Sequence, residues 1–145
     1  VNPYREYEID ARKVRAGVPL VIHSRNGGGS MTIFLRYAGS GNRKFQYVMA
    51  ELRAARQAEL ESEDKEVSTA AMNEVMQEGY AFAVITGWEG VDDRNGNPLP
   101  YTPDNALDLL RACPEIWDQV LIAGADRHRY GPDTAAQDGA AVGKH

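Results

Sequence analysis

Apolar positions along the chain switch from strand-like to helix-like spacing after residue 37. Val18-Pro19-Leu20-Val21-Ile22-His23 and Met31-Thr32-Ile33-Phe34-Leu35-Arg36-Tyr37 are short runs rich in β-branched and aromatic residues. Arg25-Asn26-Gly27-Gly28-Gly29-Ser30 lies between them, and two such runs about a glycine-rich connection predict a β-hairpin. The connection exceeds a two-residue turn, so the register is left open. Ahead of it, residues 1–17 read as polar and irregular, with Tyr4, Tyr7, Ile9 and Val14 as candidate anchors. Beyond Gly39-Ser40-Gly41, Asn42 is placed as an N-cap whose side-chain oxygen can accept from an orphan backbone N–H. Phe45, Val48, Met49, Leu52 and Ala55 then recur at helical spacing, predicting a helix from about Arg43 to Glu61.

Ser62-Glu63-Asp64-Lys65 reads as a connector, and a second helix is expected from about Glu66 to Thr86. Val67, Ala71, Met72, Val75 and Met76 make its first half amphipathic, whereas Gly79-Tyr80-Ala81-Phe82-Ala83-Val84-Ile85 is apolar on all sides. A segment apolar all round is buried, so this one is the expected centre of the core. Gly79 costs about 1 kcal/mol relative to alanine inside a helix, which a close approach of helix to strand would explain. Gly87 is placed to end the helix. Gly90 to Tyr101 holds Arg94-Asn95-Gly96-Asn97, a turn signal, and Pro98 and Pro100 oppose a regular central strand. Thr102-Pro103-Asp104 forms a helix start with a cap, a proline at the first position and an acid at the positive dipole end. A short helix through Ala106, Leu107, Leu109 and Leu110 follows. Cys113-Pro114 then opens a last helix with a stripe of Ile116, Trp117, Val120, Leu121 and Ala125, stopping near Tyr130-Gly131-Pro132. The expected fold is therefore α+β and mostly α, an N-terminal β-hairpin followed by about four helices. Residues 1–130 make one globular domain with an irregular N-terminal segment. Residues 131–145 are an Ala/Gly-rich tail whose composition predicts disorder.

Charge and cysteine content narrow the function classes. The net charge of −5 disfavours a nucleic-acid partner, which requires a lysine and arginine surplus. Arg43, Lys44, Arg53 and Arg56 are offset by Glu51, Glu59, Glu61 and Glu63. The single cysteine, Cys113, permits neither an internal disulfide nor a cysteine-based zinc site, and suggests a reducing, cytoplasmic setting. No apolar run approaches the roughly 18 residues of a membrane span, and Val1-Asn2-Pro3-Tyr4-Arg5-Glu6 has no signal-peptide apolar region.

Candidate chemistry is sparse. Asp92-Asp93-Arg94-Asn95-Gly96-Asn97 resembles a calcium loop, but counting from Asp93 puts Pro98 where the loop needs glycine and Asp104 where it needs glutamate. A turn is preferred. Gly27-Gly28-Gly29 lacks the Gly-Lys-Ser/Thr ending of a phosphate cradle. His23, His128 and His145 show no metal-ligand spacing, and His128 between Arg127 and Arg129 fits the last turn of a helix. Cys113 has no nucleophile signature. Glu74, Glu78 and Glu89 fit a solvated face better than acid–base work. Core packing is preferred for Trp88 and Trp117, though both could face a groove between the helical halves. No catalytic residue, metal ligand or cofactor is expected.

The segment Gly87-Trp88-Glu89-Gly90-Val91-Asp92-Asp93, continuing through Asn95-Gly96-Asn97-Pro98-Leu99-Pro100-Tyr101-Thr102-Pro103-Asp104-Asn105-Ala106, resembles the signature of siphophage tail assembly chaperones. Asn42-Arg43-Lys44-Phe45 is similar to that family's Asn-x-x-Phe helix start, and Pro114-Glu115-Ile116-Trp117 to its final helix. The likeness spans roughly residues 17–130 and concentrates in residues 87–110. It implies a chaperone that coats the tape-measure protein in the host cytoplasm, gives way to arriving tail-tube protein, and uses no cofactor or nucleotide. Self-association is a further option. A tape measure is a long helix with an exposed apolar stripe, and a helical adaptor can take such a stripe in a groove. Residues 131–145 depart from the family pattern. Relatives make a longer product by frameshifting, with which Gly143-Lys144 is compatible. The candidate protein-binding residues are Trp88, Glu89, Asp92, Asp93, Asn95, Leu99 and Tyr101 in the long loop, with Arg53 and Arg56 on the first long helix. The rival expectations are a structural virion component (minor tail or head–tail connector), an enzyme using the carboxylates near Trp88, and a defence or antidefence binder.

Overall fold

A computed structural model describes residues 1–132; the Ala/Gly-rich stretch from residue 133 onward, with Gly143-Lys144 and His145, lies outside the described residues. The chain runs α1 (Pro3–Tyr7), α2 (Ala11–Ala16), β1 (Val18–His23), β2 (Ser30–Leu35), α3 (Arg43–Ala55), α4 (Gln57–Leu60), α5 (Lys65–Ala83), β3 (Ile85–Glu89), α6 (Pro103–Ala112) and α7 (Pro114–Ala125), followed by a 3-10 turn at Arg127–Tyr130. The fold is α+β and mostly helical, with one antiparallel three-stranded sheet in the order β1-β2-β3.

The hairpin forms as expected, with Val18 opposite Leu35 and His23 opposite Ser30. Ser24 N donates to Gly29 O at 2.9 Å across its connection. The region before it is not irregular. Asn2 and Asp10 each accept from a backbone N–H and start the short helices α1 and α2, a cap signal that sparse apolar residues concealed.

The expected second helix also differs. It ends at Ala83, and residues 85–89 form β3, hydrogen-bonded beside β2. Val84-Ile85-Thr86 places three β-branched residues in a row, which lose rotamer freedom in a helix and suit a pleated sheet. β2 supplies the backbone partners. Gly87 therefore sits in a strand opposite Phe34 and does not end a helix. The first long helix is also shorter than expected, since it ends at Ala55 and the chain re-enters α4 after Arg56.

The core lies where the continuously apolar segment predicted. Tyr80, Ala81, Ala83, Val84 and Ile85 are buried with Ile33, Leu35, Leu110 and Val120, while Phe82 faces outward. Each fully buried aliphatic side chain contributes about 1.5–3 kcal/mol. The Tyr80 ring stands edge-on to Phe45 at 5.8 Å and to Trp117 at 5.2 Å, and its hydroxyl donates to Leu121 O at 2.9 Å. Tyr130 is held in the same way, its hydroxyl donating to Leu35 O at 2.8 Å. Burial pushes the pKa of both hydroxyls up, because it disfavours the charged phenolate.

Two glycines mark where helices touch. A Cβ on Gly79 would lie 2.5 Å from Met49 Sδ, so its close neighbour is α3, not a strand as expected. A Cβ on Gly124 would lie 2.7 Å from Tyr80 Cε2, bringing α7 against α5.

Asn42 ties three elements together. Its Oδ1 accepts from Phe45 N at 3.0 Å, the expected N-cap. Its Nδ2 donates to Tyr37 O and Ala83 O, each at 2.9 Å. The side chain thus joins the end of β2, the start of α3 and the end of α5. The last helix ends at Ala125, and Asp126 starts the 3-10 turn by accepting from His128 N at 3.0 Å. His128 therefore lies in that turn rather than in the last turn of α7.

Candidate functional site

The predicted loop packs largely on itself. Trp88 Nε1 donates to Leu99 O at 2.8 Å, the Trp88 and Tyr101 rings meet edge-on at 5.2 Å, and Tyr101 OH donates to Ile85 O at 2.8 Å. Burial raises the Tyr101 hydroxyl pKa, against a weaker lowering by Arg36. Trp88, Leu99 and Tyr101 are thus gathered, but their apolar surface is spent on one another and on β3. Glu89, Asp92 and Asn95 are exposed. Asp93 organises the turn: its Oδ1 accepts from Asn95 N at 2.8 Å and Asn97 N at 3.0 Å, and Asp92 bridges to Pro98. An Asx-type turn accounts for these residues. Asp92, Asp93 and Leu99 line a small cavity of about 220 Å³ with Asp108 and Cys113.

Arg53 and Arg56 lie elsewhere and behave differently. Arg56 is clamped, with Nη2 2.8 Å from Glu59 and 3.4 Å from Glu74, tying α4 to α5. The hydrogen bond from Arg56 lowers the Glu59 pKa, and the same bond raises that of Arg56. Arg53 is exposed and, among the described residues, has no ion-pair partner.

Arg53 borders an open cleft of about 700 Å³ framed by α3, α4, α5 and α7. Met72, Met76, Leu60, Leu121 and Trp117 supply its apolar lining, and Ser68, Thr69 and Asn73 its neutral polar part. Trp117 is 5% exposed, and its Nε1 donates to Asn73 Oδ1 at 2.9 Å. The arrangement follows from α5 carrying two apolar stripes. Ala71, Val75 and Gly79 turn to the core, while Met72 and Met76, one position on, turn to the cleft. Exposed Ile122 follows Leu121 on α7. Methionine is unbranched and polarizable, so such a lining adapts to varied apolar side chains.

Other candidate groups are scattered. His23 and Cys113 both line a cavity of about 430 Å³ between the hairpin and α7, where Arg25 and Glu115 pair. Among the described residues, no three or more histidine, cysteine or acidic side chains gather as a metal cluster, and no helix is long and apolar enough to cross a membrane.

These features describe a small, mostly helical α+β protein with an open, methionine-lined cleft. A family model described as YdaY prophage protein matches residues 40–144. The chain belongs to that family and is phage-derived. The match takes in α3 to α7 and every residue that lines the cleft. No curated protein and no solved structure matches the chain.

Proposed function

We propose that this protein is a tail assembly chaperone that works in the host cytoplasm, binding the tape-measure protein and recruiting tail-tube subunits while the tail assembles. The observation that carries the reading is the cleft lined by Leu60, Met72, Met76, Trp117 and Leu121. An exposed apolar stripe on a long helix aggregates in water, and an apolar groove on a small acidic protein can cover it. Repetition of weak contacts along the partner gives strong overall retention, and each copy can still leave as tube subunits arrive. The resemblance of residues 87–110 to tail assembly chaperones and the phage origin of the family point the same way. No catalytic step is assigned.

The exposed acids of the Trp88–Tyr101 loop, Glu89 and Asp92, with Asn95, make a second, polar contact in this reading. Co-expression with the tape-measure protein of the same prophage tests the proposal. Soluble co-purification is expected; a tape measure that stays insoluble removes the chaperone reading. Alanine changes at Glu89, Asp92 and Asn95 should lower the recovery, and full recovery removes the loop from the contact.

A further inference from the structure

We infer that the cleft selects a partner helix bearing a carboxylate beside its apolar stripe, which pairs with Arg53. The inference rests on the reading of this cleft as the partner site and specifies the partner's chemistry. The chain carries 21 acidic against 16 basic side chains, yet among the described residues the only charged one lining the cleft is Arg53. Glu59 and Glu74, which flank the lining residues Leu60 and Asn73, are held by Arg56, and Glu61, Glu66 and Asp118, close in sequence to Leu60, Ser68 and Trp117, do not themselves line the cleft. The cleft is therefore mostly apolar, with Ser68, Thr69 and Asn73 as neutral polar members of its lining and one cation, Arg53, that has no ion-pair partner among the described residues. The α5 wall runs from Ser68 to Met76, about 12 Å at the helical rise, which matches roughly two turns of a partner helix.

A second copy of the chain fits this surface poorly. A two-fold contact uses the same patch on both subunits. This patch would bring two arginines and no acid to the interface. A foreign helix with glutamate or aspartate flanking its stripe meets both the apolar wall and the cation.

Two labelled amphipathic peptides test the inference on the full chain by fluorescence anisotropy. They share one leucine stripe and differ only in carrying glutamate or lysine beside it. The wild type is expected to bind the glutamate peptide about threefold to fivefold tighter, the worth of one exposed ion pair. The R53E variant reverses that order, and the exposed position of Arg53 leaves its fold intact by circular dichroism. Equal affinities, an order unchanged by R53E, or no binding of either peptide overturns the inference. So does a rise in affinity for both peptides when residues 133–145 are removed, which makes the chain's own end the occupant. Dimerisation abolished by Met72→Glu also overturns it, making a second copy the occupant. A charge-blind cleft that still keeps the tape measure soluble leaves the chaperone reading standing, so the two failures are distinguishable.

Discussion

Replacing Asn42 tests how the first half of the protein is held to the second. Asn42→Ala removes three hydrogen bonds of 2.9–3.0 Å at once. Loss of an N-cap costs about 1 kcal/mol. Each carbonyl left without its donor adds about 1 kcal/mol, the low end of the cost of an unsatisfied buried group, because a carbonyl tolerates under-satisfaction better than an N–H. The sum is about 3 kcal/mol, a large part of the 5–15 kcal/mol typical of a domain, and lowers Tm by about 6–12 °C for a chain of this size. Asn42→Asp keeps the cap acceptor but turns the donor into a second acceptor facing Tyr37 O and Ala83 O. The two carbonyls disfavour the ionised form of the new carboxyl group, so its folded pKa is expected above the unfolded value. The deficit of N42D is then greatest near neutral pH and shrinks as pH falls through that raised pKa, where the protonated acid can donate again. Urea unfolding followed by circular dichroism across pH measures both variants. A loss below about 1 kcal/mol for N42A, no larger than a cap alone, or a deficit of N42D that does not shrink in acid, refutes the bridging role.

Gly124→Ala places a methyl 2.7 Å from a Tyr80 ring wedged between Phe45 and Trp117; a loss of about 1–3 kcal/mol is expected by chemical denaturation. Gly79→Ala meets the flexible end of Met49 at 2.5 Å and recovers up to about 1 kcal/mol of helix propensity, so it should cost less than G124A in the same assay. Above pH 10 stability should fall, because the raised pKa values of Tyr80 and Tyr130 favour the neutral hydroxyl in the folded state. That contribution is full below the unfolded tyrosine value of about 10 and is lost as pH rises through the folded values. Tyr80→Phe should flatten this alkaline decline in a pH series of urea unfolding, and an unchanged slope excludes Tyr80 as a source.

Much of the architecture was legible in local patterns. The glycine connection between two β-branched runs specified the hairpin, and Thr102-Pro103 and Asn42 specified two helix starts. The fully apolar segment 79–85 located the core but not its secondary structure, since a buried helix end and a buried strand share that composition. The three β-branched residues at 84–86 carried the missing signal. Trp117 packs in the core against Tyr80, as preferred from the sequence, and also lines the cleft, whereas Trp88 packs on Tyr101. The cleft itself was written in α5 as an apolar stripe wider than one core face needs: Met72 and Met76 beside Ala71 and Val75. Reading all four as one amphipathic stripe concealed it, because periodicity gives the width of a stripe and not the number of surfaces it serves. Arg53 and Arg56 share a helix-end composition, and only the placement of Glu59 and Glu74 separates the clamped cation from the one that has no ion pair among the described residues.

The protein's four methionines allow the central claim to be read directly by methyl NMR of selectively labelled protein, titrated with an amphipathic segment of the tape-measure protein. Met72 and Met76 line the cleft, Met49 is buried against Gly79, and Met31 lies beside the hairpin connection. The account predicts that the Met72 and Met76 signals shift while Met31 stays in place; movement of Met31 with Met72 and Met76 silent would contradict it.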